Sequence, residues 1–175
     1  MPDVPVAIPP FDPEVAPYSG DERVVLNWLL DYHRHVLVRK VEGITEQQAR
    51  ATIISSDLTL LGLIRHLGGV EQYWFGEIFL GLSEADHWSD PDDRDRDFHP
   101  LDHDTLADAL AVLHAEIERS RRIASTRSFD ALAIGRRENQ PVNLRWIVAH
   151  LVEEYARHCG HADLLREAID GSTGD

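Results

Sequence analysis

Glu154 and His158 stand four residues apart in the stretch Glu153-Glu154-Tyr155-Ala156-Arg157-His158-Cys159-Gly160-His161, inside a segment with the periodicity of a buried helix. Leu144, Ile147, Val148, Leu151, Tyr155, Ala162 and Leu165 recur at three- and four-residue spacing, and both polar residues fall within that arc. Side chains four apart lie about one helical turn apart on the same face, so the pair can share one ligand. A buried carboxylate is costly unless it is protonated, paired or bound to a cation, and a divalent metal ion is one such partner. A single histidine on an apolar face is more often a hydrogen-bonded core group, which leaves the pair as the informative feature.

A third ligand is available upstream. The segment Thr59 to Phe79 reads as one long amphipathic helix, and the row Leu63, His66, Val70, Tyr73, Glu77 runs along the side of its apolar stripe. His66 on this row, with Glu154 and His158, would make a site of two imidazoles and one carboxylate from two facing helices. Such a set leaves an open coordination position, the arrangement of a catalytic rather than a structural metal. It accepts zinc, nickel, iron or manganese. His150 and His161 lie on the same helix toward Glu154 and compete as ligands or as groups that orient them. On the first helix His33 fits an inward row through Val25, Leu29 and Val36, whereas His35 cannot share that face. His87, His99, His103 and His114 read as solvated.

Four helices must position these residues. The first is expected from about Asp21 to Val41, the second from Thr59 to Phe79, the third from Asp104 or Thr105 to Ser125, and the fourth from an Asn143 N-cap to near Gly171. Thr45-Glu46-Gln47-Gln48 and Thr52-Ile53-Ile54 read as connecting loop. Ser83 to His103 is an acidic connection too long for an ordinary helix turn, hence a crossover or a lid. Asp90-Pro91-Asp92-Asp93-Arg94-Asp95 lacks the glycine and terminal glutamate of a calcium loop. No strand alternation and no glycine-rich phosphate loop stands out, so the expectation is an all-α four-helix bundle with a long crossover loop and no nucleotide chemistry.

At 175 residues the chain fits one domain, residues 21–175, preceded by a proline-rich extended arm over residues 1–20 that does not read as an export signal. A formal charge of −14 argues against a phosphate-backbone partner. No apolar run reaches the roughly 18 residues of a membrane span, and one cysteine allows no internal disulfide; a cytoplasmic protein is expected. Cys159 points away from the metal face and reads as packing. Trp28 and Trp88 leave a homodimer open.

His66 within Leu63-Ile64-Arg65-His66-Leu67, followed by the run from Glu154 to Glu167, resembles the DinB-like metal-binding bundle superfamily. The likeness spans nearly the whole chain after the arm and is closest to mycothiol S-transferases and the mycothiol-dependent maleylpyruvate isomerase. Much of the superfamily has histidine where this chain has Glu154, and the isomerase-like members share the His, Glu, His set. The resemblance therefore implies metal ligation by His66, Glu154 and His158, with His161 outside the ligand set. It also implies mycothiol as co-substrate, with the metal holding its sulfur as a thiolate for attack on an electrophile in detoxification. Tyr73, His33 and His150 are candidates for proton transfer or orientation, and Arg65 and Arg157 for binding the thiol's polar groups, although exposed helix arginines are as ready an explanation. A thiol-dependent isomerase and a stress-associated metal-binding protein without turnover are the alternative functions.

Overall fold

The computed structural model describes residues 10–174, so residues 1–9 of the expected arm lie outside the described residues. The element order is α1 (Glu22–Arg39), α2 (Glu46–Ala49), α3 (Leu60–Glu71) continuing as a π-helical segment (Gln72–Phe79), α4 (Leu106–Ser125), β1 (Leu132–Arg137), β2 (Gln140–Asn143) and α5 (Leu144–Asp170). The long helices make the expected all-α bundle. α1 packs along α5, α5 against α3, and α3 along α4, while α4 and α1 approach each other less closely.

Local chemistry sets the helix starts. Asp21, Thr45, Thr59, Thr105 and Asn143 each accept a backbone N–H of the first turn that they precede. α5 ends at Gly171, whose φ of 78° is the left-handed cap that closes a helix without side-chain strain. All seven apolar residues of the stripe read on α5 are buried, joined by Cys159 and His158.

Four features depart from the expected elements. Thr45 and Gln48 form a reciprocal capping box, so the supposed loop there carries the short helix α2. The second long helix changes to π geometry at Gln72, widening its turns where it packs against β1. A two-stranded antiparallel hairpin precedes α5, turning through Glu138 and Asn139 at φ 50° and 63°. Its outward Leu132 and Ile134 are exposed, so apolar periodicity did not mark it as half-buried sheet.

The fourth departure concerns α1. Of the row through Val25, Leu29, His33 and Val36 only Val36 is buried, the other three being half-buried, and the inward face is otherwise Arg23, Asn27, Leu30, Arg34 and Leu37. This face is polar because it meets complementary charge. Arg34 donates Nε and Nη2 to the two carboxylate oxygens of Glu71, each at 2.8 Å, and Nη1 to Asp31 at 2.8 Å. The Tyr155 hydroxyl donates to Glu71 Oε1 at 2.9 Å. Glu71 and Tyr155 are wholly buried, and the network ties α1, α3 and α5 through the core. Burial alone would lower the Arg34 pKa, but Glu71, Tyr155 and Asp31 outweigh it and raise it; burial and Glu71 push the Tyr155 phenol well up. Among the described residues no helix is long and apolar enough to cross a membrane.

Candidate metal centre

The bundle brings His66 of α3 together with Glu154 and His158 of α5. Each offers a ligand atom, and the three atoms lie within 4.8 Å of one another. Glu154 Oε2 is 3.5 Å from His158 Nε2, and the His66 and His158 rings are 4.8 Å apart between centroids. Facing side chains from two packed helices thus converge because each sits at an inward or edge position of its own helical period.

The imidazoles are oriented from behind. Asp97 Oδ2 lies 2.6 Å from His66 Nδ1, so the carboxylate orients the ring by accepting an Nδ1–H, and in that tautomer Nε2 carries the lone pair a metal needs. Burial works to raise the Asp97 pKa, but the bond and charge of His66 outweigh it and hold the carboxyl below its ordinary range. His161 Nδ1 lies 3.4 Å from His158 Nδ1, leaving His158 Nε2 toward Glu154. Burial, with the neighbouring His66 and His161, depresses His158 to about 4, so its ring is neutral at physiological pH and has a lone pair to give. Two imidazoles and one carboxylate, with a carboxylate backing one imidazole, suit a divalent transition metal.

The acidic crossover forms one wall of this centre, although its composition reads as solvated. Phe98 stacks on His66 with centroids 4.3 Å apart and stands 6.3 Å from the His158 ring. The chain comes so near α3 that a Cβ on Gly62 would lie 2.9 Å from the Phe98 carbonyl oxygen. Trp88 Nε1 donates to the Arg65 carbonyl at 2.9 Å. Asp97 and Phe98 carry no signal in the sequence, since neither belongs to a periodic segment.

The other candidates are placed as follows. His150 stacks on Trp146 at 4.8 Å between centroids, and its Nε2 is 3.5 Å from Glu154 Oε1. Tyr73 meets Trp74 edge-on and lines a small cavity with Gln72, Glu77 and Glu84, outside the ligand cluster. His33 is half-buried on α1, where its carbonyl accepts the Cys159 thiol at 3.4 Å, and it does not join the cluster. Arg65 is 1% exposed: its guanidinium lies over Trp88, donates to the Arg96 carbonyl at 3.0 Å and pairs with Asp104 at 3.1 Å. It therefore clamps the crossover from inside instead of presenting charge to solvent. Arg157 is exposed and pairs with Glu153 at 2.7 Å.

No curated protein matches this chain. The family described as Mycothiol-S-transferase matches residues 25–171, from within α1 through the cap of α5 and including His66, Glu154 and His158, and the chain belongs to that family.

Proposed function

We propose that the protein is a metal-dependent S-transferase that joins a low-molecular-weight thiol, mycothiol, to electrophilic small molecules. The observation that carries this reading is the convergence of His66, Glu154 and His158 within 4.8 Å, in a chain of a family named for that transfer. A divalent ion held there, with zinc the best match to the donor set, would lower the pKa of a bound thiol and keep its sulfur as thiolate near neutral pH.

The chain's own residues supply the remainder. Asp97 and His161 hold the two imidazoles in orientation. Phe98 limits water on the His66 side, where its ring covers the imidazole. His150, in contact with Glu154, is placed to accept the thiol proton, whereas Tyr73 and His33 lack such a contact with the ligand set. The sulfur then forms a C–S bond with the electrophile as the leaving group departs with its electron pair.

The test is conjugation of mycothiol to monochlorobimane by purified protein, with and without zinc. Zinc-dependent formation of the fluorescent adduct, lost in His158→Ala and Glu154→Gln, is the expected result. A protein that binds zinc yet turns over no thiol with several electrophiles would instead be a metal-binding protein without catalysis. Turnover of maleylpyruvate would place it with the isomerases.

A further inference from the structure

Two adjoining cavities border α1 on the side away from the metal centre. One, of about 440 Å³, lies between α1 and α4, and the other, of about 250 Å³, lies between α1 and residues 10–17. Small-molecule sites occupy roughly 300–1,000 Å³. Pro10, Phe11, Asn27 and Asp31 line both, so these four stand at the junction, and none of His66, Glu154 and His158 lines either. Phe11 is fixed in place, since its ring packs near Trp28 and His35 and Trp28 Nε1 donates to the neighbouring Asp12 carbonyl at 2.9 Å.

Charge at the junction has one sign. Arg34 is taken up by the buried Glu71 through two bonds of 2.8 Å, and Arg121 is held by Glu118 at 2.5 Å. These two pairs leave the Asp31 carboxylate uncompensated, and its side chain is only 13% exposed, so water screens it weakly. The smaller cavity is lined by Asp12 and Asp31 and by no basic side chain. Arg34 Nη1 and Arg121 Nε both donate to Asp31 Oδ1, at 2.8 and 3.1 Å. Among the described residues no group donates to Oδ2, and that atom is not sealed inside the protein. One turn earlier on the same face the Asn27 amide donates to the Arg23 carbonyl at 2.9 Å, and its Oδ1 likewise receives no donor and is not sealed in.

These features select the occupant. Two open acceptors one helical turn apart call for a group with several N–H donors, and the surplus negative charge calls for that group to be positive. Phe11 and Trp28 beside them add aromatic rings, which attract a cation, while Leu30 and Phe75 offer apolar surface to the rest of the molecule. An anion would meet Asp31 and Asp12, and a neutral polar group would leave the Asp31 charge unanswered. We propose that this junction is a second small-molecule site, independent of the metal centre, for an organic monocation in which an apolar body carries a protonated amine.

The test is titration of the full chain with 2-phenylethylamine by calorimetry at pH 7, beside 2-phenylethanol and phenylacetate as its neutral and anionic counterparts. Saturable binding of the amine is expected, with the alcohol at least about ten-fold weaker and the acid weaker still. Zinc and His158→Ala should leave the amine affinity unchanged, so failure of the proposed transferase activity leaves this result readable. Asp31→Asn can keep its oxygen on the two arginines and turn its NH₂ to the cavity, and it should weaken amine binding at least about ten-fold. Because Asp31 also ties α1 to α4, its melting curve is recorded alongside, and Phe11→Ala, which lies outside every helix, serves as the second variant and should weaken the amine several-fold. Amine binding that is absent, equalled by the alcohol, or kept at full strength in folded Asp31→Asn or in Phe11→Ala would overturn the proposal.

Discussion

Replacing Asp97 tests whether the crossover carboxylate belongs to the metal centre. In the structure its Oδ2 is 2.6 Å from His66 Nδ1, a length typical of a charge-assisted bond, and both side chains are largely shielded, 26% and 19% exposed. A hydrogen bond to a charged group contributes about 1.5–3 kcal/mol, and about 1.4 kcal/mol is a factor of ten in affinity. Loss of the carboxylate should therefore weaken metal binding by about ten- to hundred-fold, the range seen when groups that orient metal-binding histidines are removed. Asp97→Asn keeps an acceptor but loses the charge and should fall near the lower figure; Asp97→Ala loses both and should approach the upper. The assay is competition for zinc against a chromophoric chelator at pH 7. Arg157→Ala is the control, because that arginine is exposed and its guanidinium pairs with Glu153. Zinc affinity within about two-fold of the unaltered protein in Asp97→Ala would show that His66 needs no support from the crossover, and the reasoning would be wrong.

Three further outcomes are expected. Glu71→Ala leaves two of the buried Arg34 donors unpaired, with Asp31 its remaining carboxylate, and removes the acceptor of Tyr155, so urea denaturation should register a loss of about 3–5 kcal/mol, and a loss below about 1 kcal/mol would contradict the described network. Gly62→Ala places a methyl against the Phe98 backbone, displacing the crossover, and zinc affinity should drop several-fold although no ligand is altered; unchanged affinity would mean that the crossover adapts without moving Asp97. His99 is held above its ordinary pKa chiefly by its bond to Asp93, with a second bond to Asp57. The stability these two bonds contribute is present below about pH 6.5 and is lost as pH rises through the elevated folded value of His99. An NMR titration should show that value falling in Asp93→Asn, and an identical midpoint in the variant would remove Asp93 as the cause.

The amino-acid sequence by itself determined the four long helices, the Asn143 and Gly171 caps and the inward stripe of α5, because these depend on near neighbours and on which side of a short period faces water. It also placed Glu154 and His158 one turn apart, and pointed to His66 as a third donor on another helix. Tertiary structure alone decided what pairs with what across long separations. Arg34 and Glu71 look like surface charges until they are seen 2.8 Å apart in the core, where each offsets the other's desolvation. Asp97 and Phe98 lie in an aperiodic acidic stretch, and they reach His66 because Gly62, Arg65 and Trp88 let that stretch dock on α3. The hairpin and the π turn likewise arise from mutual packing that no local period records. Periodicity reports the environment of a face, whereas a partner far along the chain is fixed only when complementary shape and charge meet in the folded molecule.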